Sequence, residues 1–240
     1  MWRGINIELI QHKMDDNSIH TIIKILKRET KKWEDPIVTK ISKLAPAGSK
    51  QGNGRSPFKV LISCILSLRT KDETTSAASH RLFKLADTPE EIVKLTKREI
   101  EKTIYPVGFY RIKAGNILSI CHDLINKYDS KVPDTIDELL KFKGVGRKTA
   151  NLVVTLGYKK PGICVDTHVH RITNRWGYVK TKNPEETEFT LREKLPKKYW
   201  LIINDLLVTY GQNLCKPISP HCSICQINKF CKRVGVDRSR

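Results

Sequence analysis

Cys215, Cys222, Cys225 and Cys231 follow one another in C-x6-C-x2-C-x5-C spacing, gathering four of the chain's seven cysteines into one short C-terminal stretch. Four thiolates on one loop suit a soft metal centre, either tetrahedral zinc or a 4Fe-4S cube with one cysteine per iron. Structural zinc sites usually draw two close cysteine or histidine pairs from separate places. Here one C-x2-C pair is flanked by outlying cysteines, a pattern that favours iron and sulfur and keeps zinc as the alternative. Unligated thiols are the plain reading, but packing rarely concentrates cysteine this densely. Cys64, Cys121 and Cys164 lie singly among apolar residues and read as core.

A second chemistry-bearing stretch runs Leu140-Lys141-Phe142-Lys143-Gly144-Val145-Gly146-Arg147-Lys148-Thr149-Ala150. Two helices joined by a tight turn with alternate glycines let the backbone approach a phosphate, with free amides of the second helix aimed at it. Lys143, Gly144, Val145, Gly146 and Arg147 are therefore the expected DNA contacts. Glycine also ends helices for structural reasons alone. On a helix over 147–156, Val145, Thr149, Leu152, Val153 and Leu156 mark the inner face, Arg147 points roughly opposite, and Lys148 sits at the apolar edge. A lysine in that position ordinarily snorkels; freed of its proton, it is a nucleophile. Asp166, in Val165-Asp166-Thr167-His168-Val169-His170-Arg171, precedes a helical stretch and reads first as an N-cap. A carboxylate held that rigidly is also fit to stabilise positive charge on a sugar or to handle protons, if a cleft brings it near Lys148. His168 and His170 lack an acidic cluster and read as solvated or packed.

The elements that position these residues are helical. Ser18 precedes Ile19, Ile22, Ile23, Ile25 and Leu26 in amphipathic spacing; Ser56-Pro57 opens a run apolar nearly all round, which predicts a central helix. Thr88-Pro89-Glu90-Glu91 and Asn183-Pro184-Glu185-Glu186 are helix starts. Further helices are predicted over 111–125, 135–142, 147–156, 167–176 and 199–208. The fold class is all-α. Boundaries are expected near Gly52–Ser56 and Lys159–Gly162, giving an N-terminal helix over 1–51 that belongs with a cluster-bearing domain over 161–240, and a hairpin-bearing domain over 52–160.

Composition points to the partner. The chain's 240 residues carry 44 Lys plus Arg against 25 Asp plus Glu, a formal charge of +19 and a pI near 9.7. Spread along the whole chain, this charge makes a folded basic surface that favours polyanions, nucleic acid first. No apolar run reaches spanning length, and the N-terminus resembles neither a secretory signal nor a transit peptide. An intracellular protein is expected, cytoplasmic or nucleoid-associated in a prokaryote and nuclear in a eukaryote.

Taken together, Gly144 to Ala150, Val165-Asp166-Thr167-His168 and the four-cysteine loop resemble endonuclease III of the helix-hairpin-helix DNA glycosylase superfamily. The likeness covers roughly residues 56–231 and includes Ser56-Pro57-Phe58 and Val107-Gly108-Phe109-Tyr110; Val165 to Arg171 and Asn183 to Thr187 are more similar to the archaeal and eukaryotic branch. The resemblance implies a six-helix barrel beside a domain with a structural 4Fe-4S cluster. It also implies a monomeric glycosylase and lyase that removes oxidised pyrimidines from duplex DNA. In it the residue matching Lys148 forms a Schiff base at damaged or abasic nucleotides and the one matching Asp166 assists. Arg69 stands where bacterial members have glutamine, Phe109 where they have a leucine wedge, and Phe142-Lys143 where the family has Leu-Pro. Arg69 and Phe109 are expected to fill the space of a flipped nucleotide. The rival readings are a noncatalytic hairpin DNA-binding protein and a mismatch-directed glycosylase of the same superfamily, whose pattern lacks the lysine.

Overall fold

In the computed structural model, residues 16–43 and 56–240 are described. Every regular element among them is helical: α1 (Asp16–Glu29), α2 (Ile37–Ser42), α3 (Pro57–Ser67), α4 (Asp72–Leu85), α5 (Pro89–Ile92), α6 (Lys97–Ile104), α7 (Tyr110–Tyr128), α8 (Ile136–Leu139), α9 (Arg147–Leu152), α10 (Thr167–Trp176), α11 (Pro184–Lys194) and α12 (Ile203–Asn213). The helix starts follow from capping chemistry. Ser56 Oγ accepts the Lys59 N–H, Thr88 caps α5, Thr96 and Glu99 form a capping box on α6, and Asn183 caps α11 ahead of Pro184. None of the described helices is long and apolar enough to cross a membrane.

Two apolar cores divide these helices. The first is built on α3, where Val60, Leu61, Ile62 and Leu66 are fully buried as the all-round apolar run predicts, with α2 and α4–α9 around it. The second joins α1, α10, α11 and α12 around Trp176, Tyr178 and Tyr210. Of the segment expected to go whole with the second domain, α1 does so through Ile19, Ile22, Ile23 and Leu26, but Val38 of α2 packs into the first core. Thr39, beside it, donates to Asp205 of α12 at 2.8 Å, so α2 bridges the two units. The boundary expected near Gly52–Ser56 falls almost wholly outside the described residues.

The chain crosses between cores in an extended stretch after the Lys159–Gly162 loop. Its side chains alternate: Ile163 and Val165 enter the second core, while Cys164 enters the first. Asn204 of α12 donates to the Cys164 carbonyl at 3.2 Å, and the Cys164 thiol lies 3.7 Å from the Lys148 carbonyl. Asp166 follows at once, so this crossing brings it to the seam beside α9.

The helix expected over 147–156 is α-helical only to Leu152 and then widens into a π-helical turn, Val153–Gly157. Thr155 Oγ1 bonds back to the Asn151 carbonyl at 2.8 Å, and Gly157 lies so close to α3 that a Cβ there would be 3.1 Å from Pro57 Cα. The helix expected over 135–142 stops at Leu139 because the chain must turn into the hairpin, and the one expected from Tyr199 starts at Ile203 after a 3-10 turn at Lys197–Tyr199.

Leu61, fully buried at the centre of the first core, sets the scale of this packing. Leu61→Ala is expected to destabilise the protein by about 2–5 kcal/mol in urea unfolding, and a loss under 1 kcal/mol would mean that this core is not close-packed.

Candidate active site and metal centre

The hairpin takes its shape from two buried anchors. Phe142 packs edge-on against Tyr128 of α7 with ring centroids 5.3 Å apart, and Val145 is buried with its N–H donating to the Phe142 carbonyl at 3.1 Å. Gly144 between them has φ +82°, and a side chain there would meet Asn116 Nδ2 at 2.5 Å, so only glycine fits. Gly146 differs: nothing lies within 4 Å of its missing Cβ, and it starts α9 without a side-chain cap. Among the expected contacts, Lys143 and Gly146 are exposed, while the buried Val145 side chain leaves only its backbone to offer.

Lys148 extends from the first turn of α9 into a cleft between the two cores, which Asp166, His168, Asp72, Thr70 and Gln212 also line. The amine is exposed and forms no ion pair among the described residues. Asp166 caps α10 as its position predicts, and both amide bonds, from His168 and Val169 at 2.9 Å each, go to Oδ1. Oδ2 accepts no hydrogen bond among the described residues. The two groups thus face one cleft, the lysine without an ion pair among the described residues and the aspartate fixed by two amides.

His168, expected to be solvated or packed, is a wall of this cleft. Its Nδ1 lies 3.1 Å from Arg171 Nη2, and because a guanidinium only donates, Nδ1 accepts and the ring hydrogen sits on Nε2. Burial pushes the His168 pKa down, and Arg171 and Lys148 push the same way against Asp166 and Asp72, so the ring is neutral at pH 7. His170 is packed, 2.7 Å from Thr187 Oγ1. Asp72, bonded through Oδ2 to Gln212 Nε2 at 3.3 Å, was not legible as a site residue. It opens α4 like any acidic first-turn residue, and only the approach of α12 places it here.

Arg147, expected at the phosphate site, is engaged in an ion pair that its sequence neighbours do not show. Its Nε and Nη2 bond Glu188 Oε2 and Oε1 at 2.9 and 2.6 Å, and its guanidinium stacks 4.7 Å from the Phe189 ring. Arg192 adds a second cation to Glu188 at 2.9 Å and reaches Asn151 Oδ1 at 3.0 Å. The physical reason is burial: the Glu188 side chain is 3% exposed and needs compensating charge. The result clamps α9 to α11, one helix from each core.

The structure brings Arg69 and Phe109 together. Both are exposed, both have left-handed backbone (φ +51° and +57°), and the guanidinium lies 5.7 Å from the ring centroid. Their loops abut so closely that a Cβ on Gly108 would be 2.5 Å from the Arg69 carbonyl oxygen.

Cys215, Cys222, Cys225 and Cys231 line one cavity with Trp176, Leu214 and Ile227. Three donors point at their sulfurs: Arg175 Nη1 at 3.4 Å from Cys215, the Arg233 N–H at 3.4 Å from Cys231, and the Tyr210 hydroxyl at 3.1 Å from Cys225. Burial and the Cys225 contact raise the Tyr210 pKa so far that the phenol stays a donor. Burial likewise lifts the Cys231 thiol to about 11. Among the described residues no three His, Cys, Asp or Glu side chains converge as ligands of a single ion.

Residues 62–197 match the model of the HhH-GPD superfamily of base excision DNA repair proteins. The chain is 46% identical over 198 residues to endonuclease III of Thermotoga maritima, covering 82% of this chain and 92% of that one. It is 44% identical over 183 residues to the chloroplastic endonuclease III homolog 1 of Arabidopsis thaliana, of which it spans 48%, with 72% of this chain aligned. A trapped covalent endonuclease III-DNA intermediate superposes with a TM-score of 0.71 at 35% identity, covering 86% of this chain and 96% of that one. Two helical units, a glycine hairpin and a lysine facing an aspartate across the seam thus define the class as a helix-hairpin-helix base excision repair fold. Within that class, the chain belongs to the endonuclease III family.

The clamp gives a measurable pH dependence. Although burial opposes its ionisation, Arg147 and Arg192 hold the Glu188 pKa below its ordinary 4.5. A depressed carboxylate contributes stability above its unfolded pKa and loses it as pH falls through the folded one. The clamp should therefore act fully above pH 4.5 and fail on acidification below it. Glu188→Ala is expected to cost about 3–5 kcal/mol at pH 7, since it leaves Arg147 only the more distant Glu185 at 3.9 Å and Arg192 only the neutral Asn151, and to flatten the acid limb of a stability-pH profile. An unchanged limb in the variant would assign that limb to other carboxylates.

Proposed function

We infer that this chain is a base-excision-repair DNA glycosylase and abasic-site lyase that removes oxidised pyrimidines from duplex DNA. The observation that carries the reading is the Lys148 amine, without an ion pair among the described residues, in a cleft whose wall also holds the capped Asp166. A target base stacked in a duplex cannot reach such a cleft, so the nucleotide swings out of the helix. The deprotonated Lys148 Nζ attacks C1′ of its sugar; the C1′–N bond breaks and the base departs with the bonding electrons and takes up a proton. Nζ then gives up one proton, its lone pair breaks the C1′–O4′ bond, O4′ takes up a proton as the ring opens, and a protonated imine is left between Nζ and C1′. Loss of a C2′ proton expels the 3′ phosphate, cutting the strand by β-elimination. Asp166, fixed by two amides, stabilises the cationic sugar as the base leaves.

The surrounding residues serve this chemistry. Lys143, Gly144 and Gly146 present charge and open backbone to the phosphates, which positions a duplex without reading its sequence. Arg69 and Phe109 occupy the gap left by the flipped nucleotide, and Arg147 acts at one remove by holding the hairpin to α11. The working division is a hairpin-bearing domain over 52–160 and a cluster-bearing domain over 161–240 completed by α1, with α2 bridging the two. The protein acts as a monomer in a DNA-containing compartment inside the cell.

Cys215, Cys222, Cys225 and Cys231 would hold a 4Fe-4S cluster. One C-x2-C pair flanked by two outlying cysteines, all four lining one cavity, supports the cluster over a zinc ion held by two close pairs. A cluster there supplies charge and cross-linking to the loop and takes no part in the steps at Lys148.

Borohydride trapping on abasic duplex tests the central step. Wild-type protein should give a covalent adduct, Lys148→Ala none, and Asp166→Asn, which keeps the cap, a rate lower by roughly 10²–10⁴. Absence of adduct with folded, DNA-bound wild type would favour a noncatalytic binder.

Metal analysis tests the centre separately. Iron and acid-labile sulfide in equal amounts are expected, lost together in Cys225→Ser; zinc without sulfide would overturn the assignment.

A further inference from the structure

We propose that Lys113, a buried lysine with no part in the chemistry at Lys148, is a positioning residue that sets the lesion-probing pair Arg69 and Phe109. The proposal rests on the glycosylase reading above and deepens it.

Lys113 lies on α7 one turn after Phe109 and is 5% exposed. Its Nζ donates to the Leu66 carbonyl at 2.8 Å, the Leu68 carbonyl at 2.5 Å and Thr70 Oγ1 at 3.1 Å. An ammonium has three N–H groups, and each finds an acceptor. The two carbonyls belong to the end of α3, where helices leave acceptors unsatisfied, so a side chain from α7 caps α3 from outside. Leu68 and Thr70 flank Arg69 directly.

The same anchor reaches the second loop. Thr70 Oγ1, besides facing Lys113, accepts the Gly108 N–H at 3.1 Å, and Gly108 precedes Phe109. One ammonium and one hydroxyl therefore tie together both turns, in which a bulky residue adopts the left-handed backbone. Such conformations persist when the surroundings impose them. Packing does not explain the choice of residue. No carboxylate pairs with Lys113 among the described residues, and burial lowers its pKa to about 8, so an apolar side chain would fill the space at less cost. What only an ammonium supplies is three donors at one point.

The test separates finding a damaged base from cleaving at a site already lacking one. Duplexes carrying thymine glycol or a preformed abasic site, each with 2-aminopurine beside the lesion, are given to wild type, Lys113→Met and Lys113→Arg. The expected result is a loss of roughly tenfold or more in single-turnover excision for Lys113→Met, with borohydride trapping at the abasic site within about twofold and partial recovery in Lys113→Arg. The fluorescence rise that reports unstacking should disappear with Lys113→Met. Equal losses on both substrates, or no loss on either, would overturn the proposal. If Lys113→Met does not fold, Lys113→Gln decides, because it keeps a polar side chain at the site but cannot serve three acceptors from one point, and the same split is expected. If wild type gives no trapped adduct, the enzymatic reading fails instead. The fluorescence arm still judges Lys113: a rise in wild type that Lys113→Met lacks supports positioning, and equal rises refute it.

Discussion

A carboxylate as deeply buried as Glu188 stays charged only while Arg147 and Arg192 remain in place, and Arg147 comes from the other core. That requirement makes the seam between the domains stiff where it must be. Arg147 precedes Lys148 in the chain, so the helix end that carries the amine is held to α11 by two short charge-assisted hydrogen bonds. On the opposite side, the extended crossing at Ile163–Val165 is pinned by one side chain in the first core and two in the second. Lys148 and Asp166 are placed by these two attachments, which leave the cleft open between them.

α10 links this cleft to the cysteine cavity. Asp166 caps its start, His168 faces the cleft, and farther along Arg171 reaches the Cys215 carbonyl at 2.9 Å while Arg175 reaches the Lys216 and Pro217 carbonyls at 2.8 and 3.1 Å. One rigid helix therefore touches the candidate catalytic carboxylate at one end and the cysteine loop at the other. Whatever orders the loop also fixes the far end of the helix that presents Asp166.

Affinity and recognition are divided among different groups. A formal charge of +19 supplies general attraction to a polyanion. The hairpin offers backbone rather than base-reading side chains, and the exposed Arg69–Phe109 pair stands apart from it. That pair departs from the bacterial glutamine and leucine, yet its two loops are locked together as tightly as the core allows.

Much of this was legible in the residues themselves. Caps at Ser56, Thr88, Asp166 and Asn183 determine helix starts because their chemistry is local, and the apolar run after Ser56 determines a central helix because no face of it suits water. The cysteine spacing and the glycine hairpin are likewise properties of a few adjacent residues. Tertiary structure alone decided the rest. Arg147 looks like a phosphate ligand until a buried Glu188 forty-one residues away claims it; His168 and Asp72 look ordinary until α10, α12 and α4 meet; α2 reads with its neighbours until Val38 finds the first core. Each of these depends on desolvation and on partners distant in the chain, and neither can be read from spacing.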